Sequence, residues 1–444
     1  MAALPRLGRR GGLHRSREGG SSGVEVTDGG ERGLTVDGDR LVADLERLAE
    51  FGVNEAGGID RTSFSAADLA ARQWLIARCE EAGLEVAVDG IGNIVVSSPD
   101  LEAGLADQAP VWTGSHIDAV PNGGRFDGPL GSLAAIECLR RLHEERVPLA
   151  RPVRAVVYTD EEGNYAHLFG SSALTRGFSV AELSNLVGRD GDRFADTFAA
   201  SGGDLDAAAE VRLAPGALHA TVELHIEQGP LLERQGIQIG VVTGIVAIGG
   251  GAVRFTGQAD HAGTTPMIGR RDSVVAAAEF ITLLPALAPR VGPAAVVTTG
   301  IVRAEPGGSN VIAEAAEVVV DYRDPSTDNA RELEALIAAV ADEVASRHGS
   351  RVETHWEDIV PAAPLHSEVR DAIRASAEQL GYSSVDIASG AGHDSQNLAT
   401  LAPTGMIFVP STGGRSHSPA EHTPWPDVVR GADTLLGTVI RLAS

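Results

Sequence analysis

The residues best equipped for chemistry in this chain fall in four short clusters. GSHIDAVPNGGRFDGPLG carries His116, Asp118 and Asp127; DEEG carries Asp160, Glu161 and Glu162; HIEQGP carries His225 and Gln228; RSHSP carries His417. Imidazole and carboxylate without thiolate suit Zn²⁺, and equally Mn²⁺, Co²⁺ or Ni²⁺. The set is large enough for two divalent ions, which need a bridging carboxylate and a base beside the attacking water. Adjacent Glu161 and Glu162 fit that need, because one can ligate while the other faces the water. Each cluster alone also has a plainer reading. His116 and Asp118 could form a capped turn, and Asp127 could open an Asp-Gly turn. Glu161 and Glu162 could be a solvated acidic pair, His225 a satisfied core histidine and His417 a surface residue. Position argues for more: PVWTG, VRAVVYT, ATVEL and MIFVPS lead into the four clusters. In open α/β sheets, ligands bind outside the carboxyl ends of the strands.

Those runs sit in a chain of 444 residues, long enough for two or three domains. FSAADLAARQWLIARCEEAG reads as a helix with Ser65 as N-cap and Gly83 as stop. SLAAIECLRRLHEE reads as another, set between strands. This alternation predicts an α/β fold with a mostly parallel central sheet. Near Gly236 the pattern changes to paired strands with Gly-containing turns, then helix, strands and helix. The order is roughly ββαββα, an inserted α+β sandwich. The expected organisation is a catalytic metal-binding domain over 36–237 and 353–444, an inserted domain over 238–352, and a disordered tail over 1–35.

The formal net charge of -25 excludes nucleic acid and anionic membranes as natural partners. No apolar run approaches the ~20 residues of a membrane helix. The Gly-, Arg- and Ser-rich tail has no apolar core of a signal peptide. Cys79 and Cys138 make neither a disulfide framework nor a thiolate metal motif. They are expected as reduced thiols of a cytoplasmic protein.

Taken together, the blocks GGIDRTSFSAADLAAR, GSHIDAVPNGGRFDGPLG, DEEG, HIEQGP, GQADHAGTTPM, GGSNVI, VDYRDP, SGAGHDS and VPSTGGRSHSPAEHT resemble the M20 metallopeptidase-like amidohydrolases. The likeness is to the hydantoinase/carbamoylase branch, from about Gly57 to the C-terminal region. The resemblance implies a zinc-peptidase-like catalytic domain and a ferredoxin-like lid that also dimerises. It implies that His116, Asp127 and His225 hold one ion, and Asp127, Glu162 and His417 the other. Glu161 would be the general base, and Asp118 would orient His116. Gln228, His261, Asn310 and Arg323 would hold substrate, with His393 a further candidate at the same pocket. Arg323 would pair with a carboxylate, and His261 would reach over the site to polarise the scissile carbonyl. Related peptidases usually have a carboxylate where His225 stands, which favours an amidohydrolase.

The implied substrate is a small linear N-carbamoyl (ureido) acid, foremost an N-carbamoyl-L-amino acid. Allantoate is the runner-up, and dipeptides or N-acyl amino acids are more distant. The implied assembly is a homodimer through the lid. Two departures from the family pattern stand beside the ligands. Asn164-Tyr165-Ala166-His167-Leu168 replaces the common Arg-Phe after DEEG, and Arg415 stands where a small or apolar residue is more usual.

Overall fold

The computed structural model describes residues 33–444, so the expected tail lies outside the described residues except for its last three. The strands, in chain order, are β1 (Glu85–Val88), β2 (Ile94–Ser97), β3 (Val111–His116), β4 (Val153–Tyr158), β5 (Ala220–Ile226), β6 (Ile239–Ile245), β7 (Ala247–Thr256), β8 (Asp260–His261), β9 (Val296–Glu305), β10 (Val311–Ile312), β11 (Ala315–Asp324), β12 (Arg351–Trp356), β13 (Ala363–Pro364), β14 (Ser384–Ser389) and β15 (Thr404–Val409).

The larger sheet runs β1-β2-β4-β3-β5-β15-β6-β13, with β14 added beside β6. Its heart, β4-β3-β5-β15, is parallel throughout; antiparallel strands flank it on both sides. The sheet is therefore mixed, with a parallel centre. β3, β5 and β15 are buried along their whole length, as parallel strands covered on both faces should be. Val222, Leu224 and Ile226 of β5 enter a core shared with the helices Pro129–Glu145, Ser367–Gln379 and Trp425–Ala443. The helix Ala66–Glu81 begins where expected, with Ser65 Oγ accepting the Asp68 N–H, and Gly83 follows it at φ +78°.

The smaller sheet is antiparallel, in the order β12-β7-β11-β9. Helices Ser273–Leu283 and Thr327–His348 pack on it through Phe280, Leu333 and Ile337, against Val253, Phe255 and Val318. Along the chain the order is βαββαβ, the ferredoxin-like arrangement, and it corrects the expected ββαββα. The frame was shifted by one strand. β6, expected in the inserted domain, is a buried strand of the larger sheet. β12, expected partly outside, pairs with β7. A single residue, Val246, separates β6 from β7, so the hydrophobic pattern runs on without punctuation. The chain returns through residues 357–362, where Val360 bridges Ile248.

Contrary to expectation, Ser273–Val291 is long and apolar enough in composition to cross a bilayer. It is broken into three short helical pieces, with Pro285 and Pro289 at the starts of the second and third. Its Ala276, Ala277 and Phe280 are buried on the smaller sheet, so it reads as the core helix of a globular unit.

Candidate metal centre

The four clusters sit at the carboxyl ends of β3, β4, β5 and β15, the four adjacent parallel strands. His116 is the last residue of β3 and His225 the penultimate residue of β5. Glu161 and Glu162 follow β4, and His417 lies in the loop after β15. Asp127 returns to this edge because residues 117–128 fold back before the helix at Pro129. That return needs glycine at 128, at φ +81°, where a Cβ would fall 2.3 Å from His116 Cε1.

Asp127 is the centre of the arrangement. Its Oδ1 lies 3.1 Å from His225 Nε2 and 3.7 Å from His116 Nε2. Its Oδ2 lies 3.3 Å from His417 Nε2, and the same nitrogen is 3.5 Å from Glu162 Oε1. The two oxygens thus face two different ligand sets, His116–Asp127–His225 and Asp127–Glu162–His417. Glu161 Oε2 stands 3.5 Å from His116 Nε2. His116 Nδ1 donates to the Asp118 carbonyl at 3.0 Å and His225 Nδ1 to the Ile226 carbonyl at 2.9 Å. Carbonyls only accept, so both rings carry a proton on Nδ1 and turn Nε2 toward the cluster, where it is free to bind a cation once it gives up any proton of its own. Both Nε2 atoms are buried with no hydrogen-bond partner, a costly state for a polar atom unless a cation completes it. The donor set therefore fits divalent ions of the imidazole- and carboxylate-loving class.

Charge agrees. Asp118, Asp127, Asp160 and Glu161 are all buried. Burial pushes the Glu161 carboxyl well above its ordinary range against the pull of His116, and Glu162 adds to the rise. Burial and the neighbouring Asp127 carry Glu162 up to about 7. Asp127 goes the other way: burial works to raise it, but His225 and His417 outweigh burial and hold it well below the usual carboxylate range. Its hydrogen bond to Asp127 carries His417 up to about 9.

A second group, Glu223, His225 and His393, is also close-set, but its members are already engaged. Glu223 accepts from Ser115 Oγ at 2.8 Å and Ser395 Oγ at 2.7 Å, and His393 Nε2 meets Ser389 Oγ at 2.9 Å. His393 is buried behind His225, ring centroids 4.5 Å apart. Its ring packs against His225 and its Nε2 is engaged by Ser389. Asp118 is also refined. Its carbonyl orients His116, while its carboxylate accepts the Glu161 and Glu162 N–H groups at 3.3 and 3.1 Å. It ties the base-bearing turn to β3.

Beside the cluster is a cavity of about 510 Å³ lined by Gln228, Arg323, Gly390, Ser416 and His417 among others. Gln228 Nε2 donates to Asp127 Oδ2 at 2.7 Å. Arg323 donates to the Gly390 carbonyl at 2.9 Å and pairs with Asp321. His261 and Asn310 are not brought here. They lie on the two-stranded ribbon β8–β10, where the Ala262 N–H meets the Asn310 carbonyl at 2.9 Å. Among the described residues neither belongs to the two ligand sets or to the cavity lining.

Two residues were missed from the sequence. Glu421, buried, accepts the Phe126 and Asp127 N–H groups and Ser416 Oγ, bracing the bridging aspartate. Arg61, wholly buried, donates to the Ile117 carbonyl at 2.6 Å and accepts the Ala119 N–H on its own carbonyl, holding both neighbours of Asp118. Both lie inside the motif blocks, but nothing local distinguishes them.

This fold and this edge define an α/β metallohydrolase. The family model for peptidase family M20/M25/M40 matches residues 112–441, and the chain belongs to that family. It is 39% identical over 412 residues to the N-carbamoyl-L-amino acid amidohydrolase of Geobacillus stearothermophilus, covering 92% of this chain and 99% of that one. To the allantoate amidohydrolase of Escherichia coli (strain K12) it is 35% identical over 406 residues, 90% and 96% of the two chains. The crystal structure of an amidase of the hydantoinase/carbamoylase family from Burkholderia multivorans matches with a TM-score of 0.83 at 33% identity, covering 92% of this chain and 98% of that one. The resemblance read from the motifs is borne out.

Proposed function

We propose that this protein is a dinuclear-metal amidohydrolase that cleaves the C–N amide bond of a small linear ureido acid. An N-carbamoyl-L-amino acid is the favoured substrate, giving the amino acid, CO₂ and ammonia. The observation that carries this is Asp127, whose two oxygens face separate histidine sets with Glu161 alongside. The relatives' activities favour the ureido class over peptides. His116, Asp127 and His225 would hold one ion, and Asp127, Glu162 and His417 the other. Such ions, when bound, supply an acidified water and a Lewis acid.

The rest is the work of side chains. Glu161, buried and raised, takes the proton of the attacking water and returns it to the leaving nitrogen. Asp118 keeps the Glu161–Glu162 turn in register with β3. Arg323 exchanges Asp321 for the substrate carboxylate, for which its planar fork is suited. His261 and Asn310 arrive when the smaller sheet swings toward the cavity, His261 to stabilise the developing oxyanion and Asn310 to hold substrate.

A homodimer through the lid is part of the proposal. β9 is an edge strand with Val296, Ile301 and Val302 exposed, a surface that invites pairing. Free, buried Cys79 and Cys138 suit the cytoplasm.

The test is Glu161→Gln beside the wild type. Turnover should collapse while elemental analysis still finds two ions per chain; retained turnover would defeat the assigned role. A panel of N-carbamoyl-α-amino acids, N-carbamoyl-β-alanine, allantoate, ureidoglycolate and dipeptides, read by product release, decides the substrate. Preference for allantoate would select the second reading, and preference for dipeptides would sink both. A monomer in gel filtration would count against the dimer.

A further inference from the structure

His167 belongs to the segment that departs from the family pattern, and it has no role in the chemistry above. Its ring is held in place. Nδ1 meets the Glu161 carbonyl at 3.0 Å, residues 162 and 167 form an antiparallel bridge, and the Leu168 N–H donates to the same Glu161 carbonyl at 2.9 Å. Arg189 braces the turn from outside, donating to the Glu162 carbonyl at 2.7 Å. A carbonyl cannot donate, so Nδ1 carries the proton and Nε2 presents a lone pair. Among the described residues that Nε2 makes no hydrogen bond, and the side chain is exposed.

That nitrogen lies beside the 390–392 loop, whose Gly390 and Ala391 line the cavity. A Cβ on Gly392 would fall 2.9 Å from His167 Nε2, so glycine there makes room for the ring. Two residues earlier, the Gly390 carbonyl holds Arg323. The ring is thus tied through Nδ1 to Glu161, which stands beside the cluster, and its Nε2 lies against Gly392, two residues from the carbonyl that holds the arginine proposed to receive the substrate carboxylate. An acceptor fixed at that point calls for a donor on the substrate. In a ureido acid, the group next to the scissile carbonyl that offers N–H bonds beyond those of an ordinary acyl amide is the terminal –NH₂.

We propose that His167 is a specificity-determining residue that accepts a hydrogen bond from the terminal –NH₂ of the ureido substrate. This rests on the function proposed above and deepens it: the site would recognise the carbamoyl end as well as the carboxylate. An N-formyl amino acid keeps the carboxylate, the side chain and the scissile carbonyl but has hydrogen in place of –NH₂. It is therefore the discriminating probe.

The experiment compares kcat/KM for the N-carbamoyl and N-formyl forms of one amino acid in wild type, His167→Phe and His167→Gln. In His167→Phe the carbamoyl value should fall about tenfold, and the formyl value should stay within about twofold, as expected for one lost polar contact. His167→Gln, which keeps an acceptor, should recover part of the ratio. Metal content and circular dichroism identify a variant that has not folded, in which case the glutamine variant and the wild-type ratio carry the comparison. Equal losses on both substrates would mean that the ring only props the Glu161 turn, and would overturn the proposal. So would an unchanged carbamoyl value. Wild type inactive on every ureido acid would defeat the function reading and this proposal with it; wild type active with an unaltered ratio in the variants would defeat this proposal alone.

Discussion

Replacing Gly128 by alanine tests how the centre is built without touching a ligand. Gly128 sits at φ +81°, ψ -56°, a backbone conformation that costs a residue with a side chain about 1–3 kcal/mol. The new methyl would lie 2.3 Å from His116 Cε1 and 2.4 Å from both ring nitrogens. Carbon contacts rest at about 3.5–4.0 Å, so the ring must retreat by more than an ångström. It cannot do so freely, because Nδ1 is tied to the Asp118 carbonyl and the ring is wholly buried. Overpacking of this kind costs about 1–3 kcal/mol, and with the backbone strain the variant should lose about 2–6 kcal/mol. Since His116 serves only one of the two ligand sets, elemental analysis should find one ion per chain lost while the other is kept. Urea unfolding followed by circular dichroism measures the stability. A variant that unfolds at the wild-type midpoint with full metal content would refute the claim that Gly128 seats the ring.

Other perturbations read other contacts. Glu421→Gln removes one charged acceptor from the Phe126–Asp127 turn and should cost about 1–3 kcal/mol; unchanged stability and metal content would show that Glu421 is idle. Arg323→Lys should raise KM for a carboxylate substrate about tenfold with kcat nearly constant, because an ammonium cannot reproduce a bidentate pair; a kcat loss at constant KM would assign the residue elsewhere. In chelator-treated protein, the His417 contact with Asp127 favours the protonated ring, whose pKa rises to about 9. A raised histidine value adds stability that is complete below the unfolded value of about 6.5 and vanishes as pH climbs through about 9. His417→Gln should flatten that part of the pH–stability curve, and identical curves would contradict the assignment.

The positions of the candidate ligands were legible because parallel strands buried on both faces announce themselves as apolar runs. The polar residues just past each run must lie at the sheet's carboxyl edge. That reasoning placed His116, Glu161, Glu162, His225 and His417 at one sheet edge, where the structure has them, while their roles came from the resemblance. Asp127 needed more, since its return depends on a glycine pressed against an imidazole twelve positions earlier. Glu421 was illegible because the two backbone N–H groups it accepts lie nearly 300 residues away in sequence. The frame slip in the smaller sheet has a local cause: one residue between β6 and β7 leaves no turn signal. β12, with only Val352 and Trp356 partly covered, does not alternate cleanly. For His393 the sequence could not foresee the packing against His225, because a histidine lining a site and one buried behind another ring look alike in sequence.

The two chain crossings between the sheets, at Val246 and at residues 357–362, lie side by side through the Ile248–Val360 bridge. In the proposed swing of the smaller sheet they would be the pivot, and distance from a pivot is leverage. Arg323 pairs with Ile248 in the β7–β11 register, so it sits at the fulcrum and is already beside the cavity. His261 lies beyond the far end of β7, whose ten residues span about 30 Å at the usual rise. A turn of about 20° at the pivot would sweep the far end of that arm through about 10 Å while Arg323 barely moved. Under the proposed function, the arginine would take hold of a carboxylate first, and the histidine would be delivered afterwards by rotation about that same anchored end.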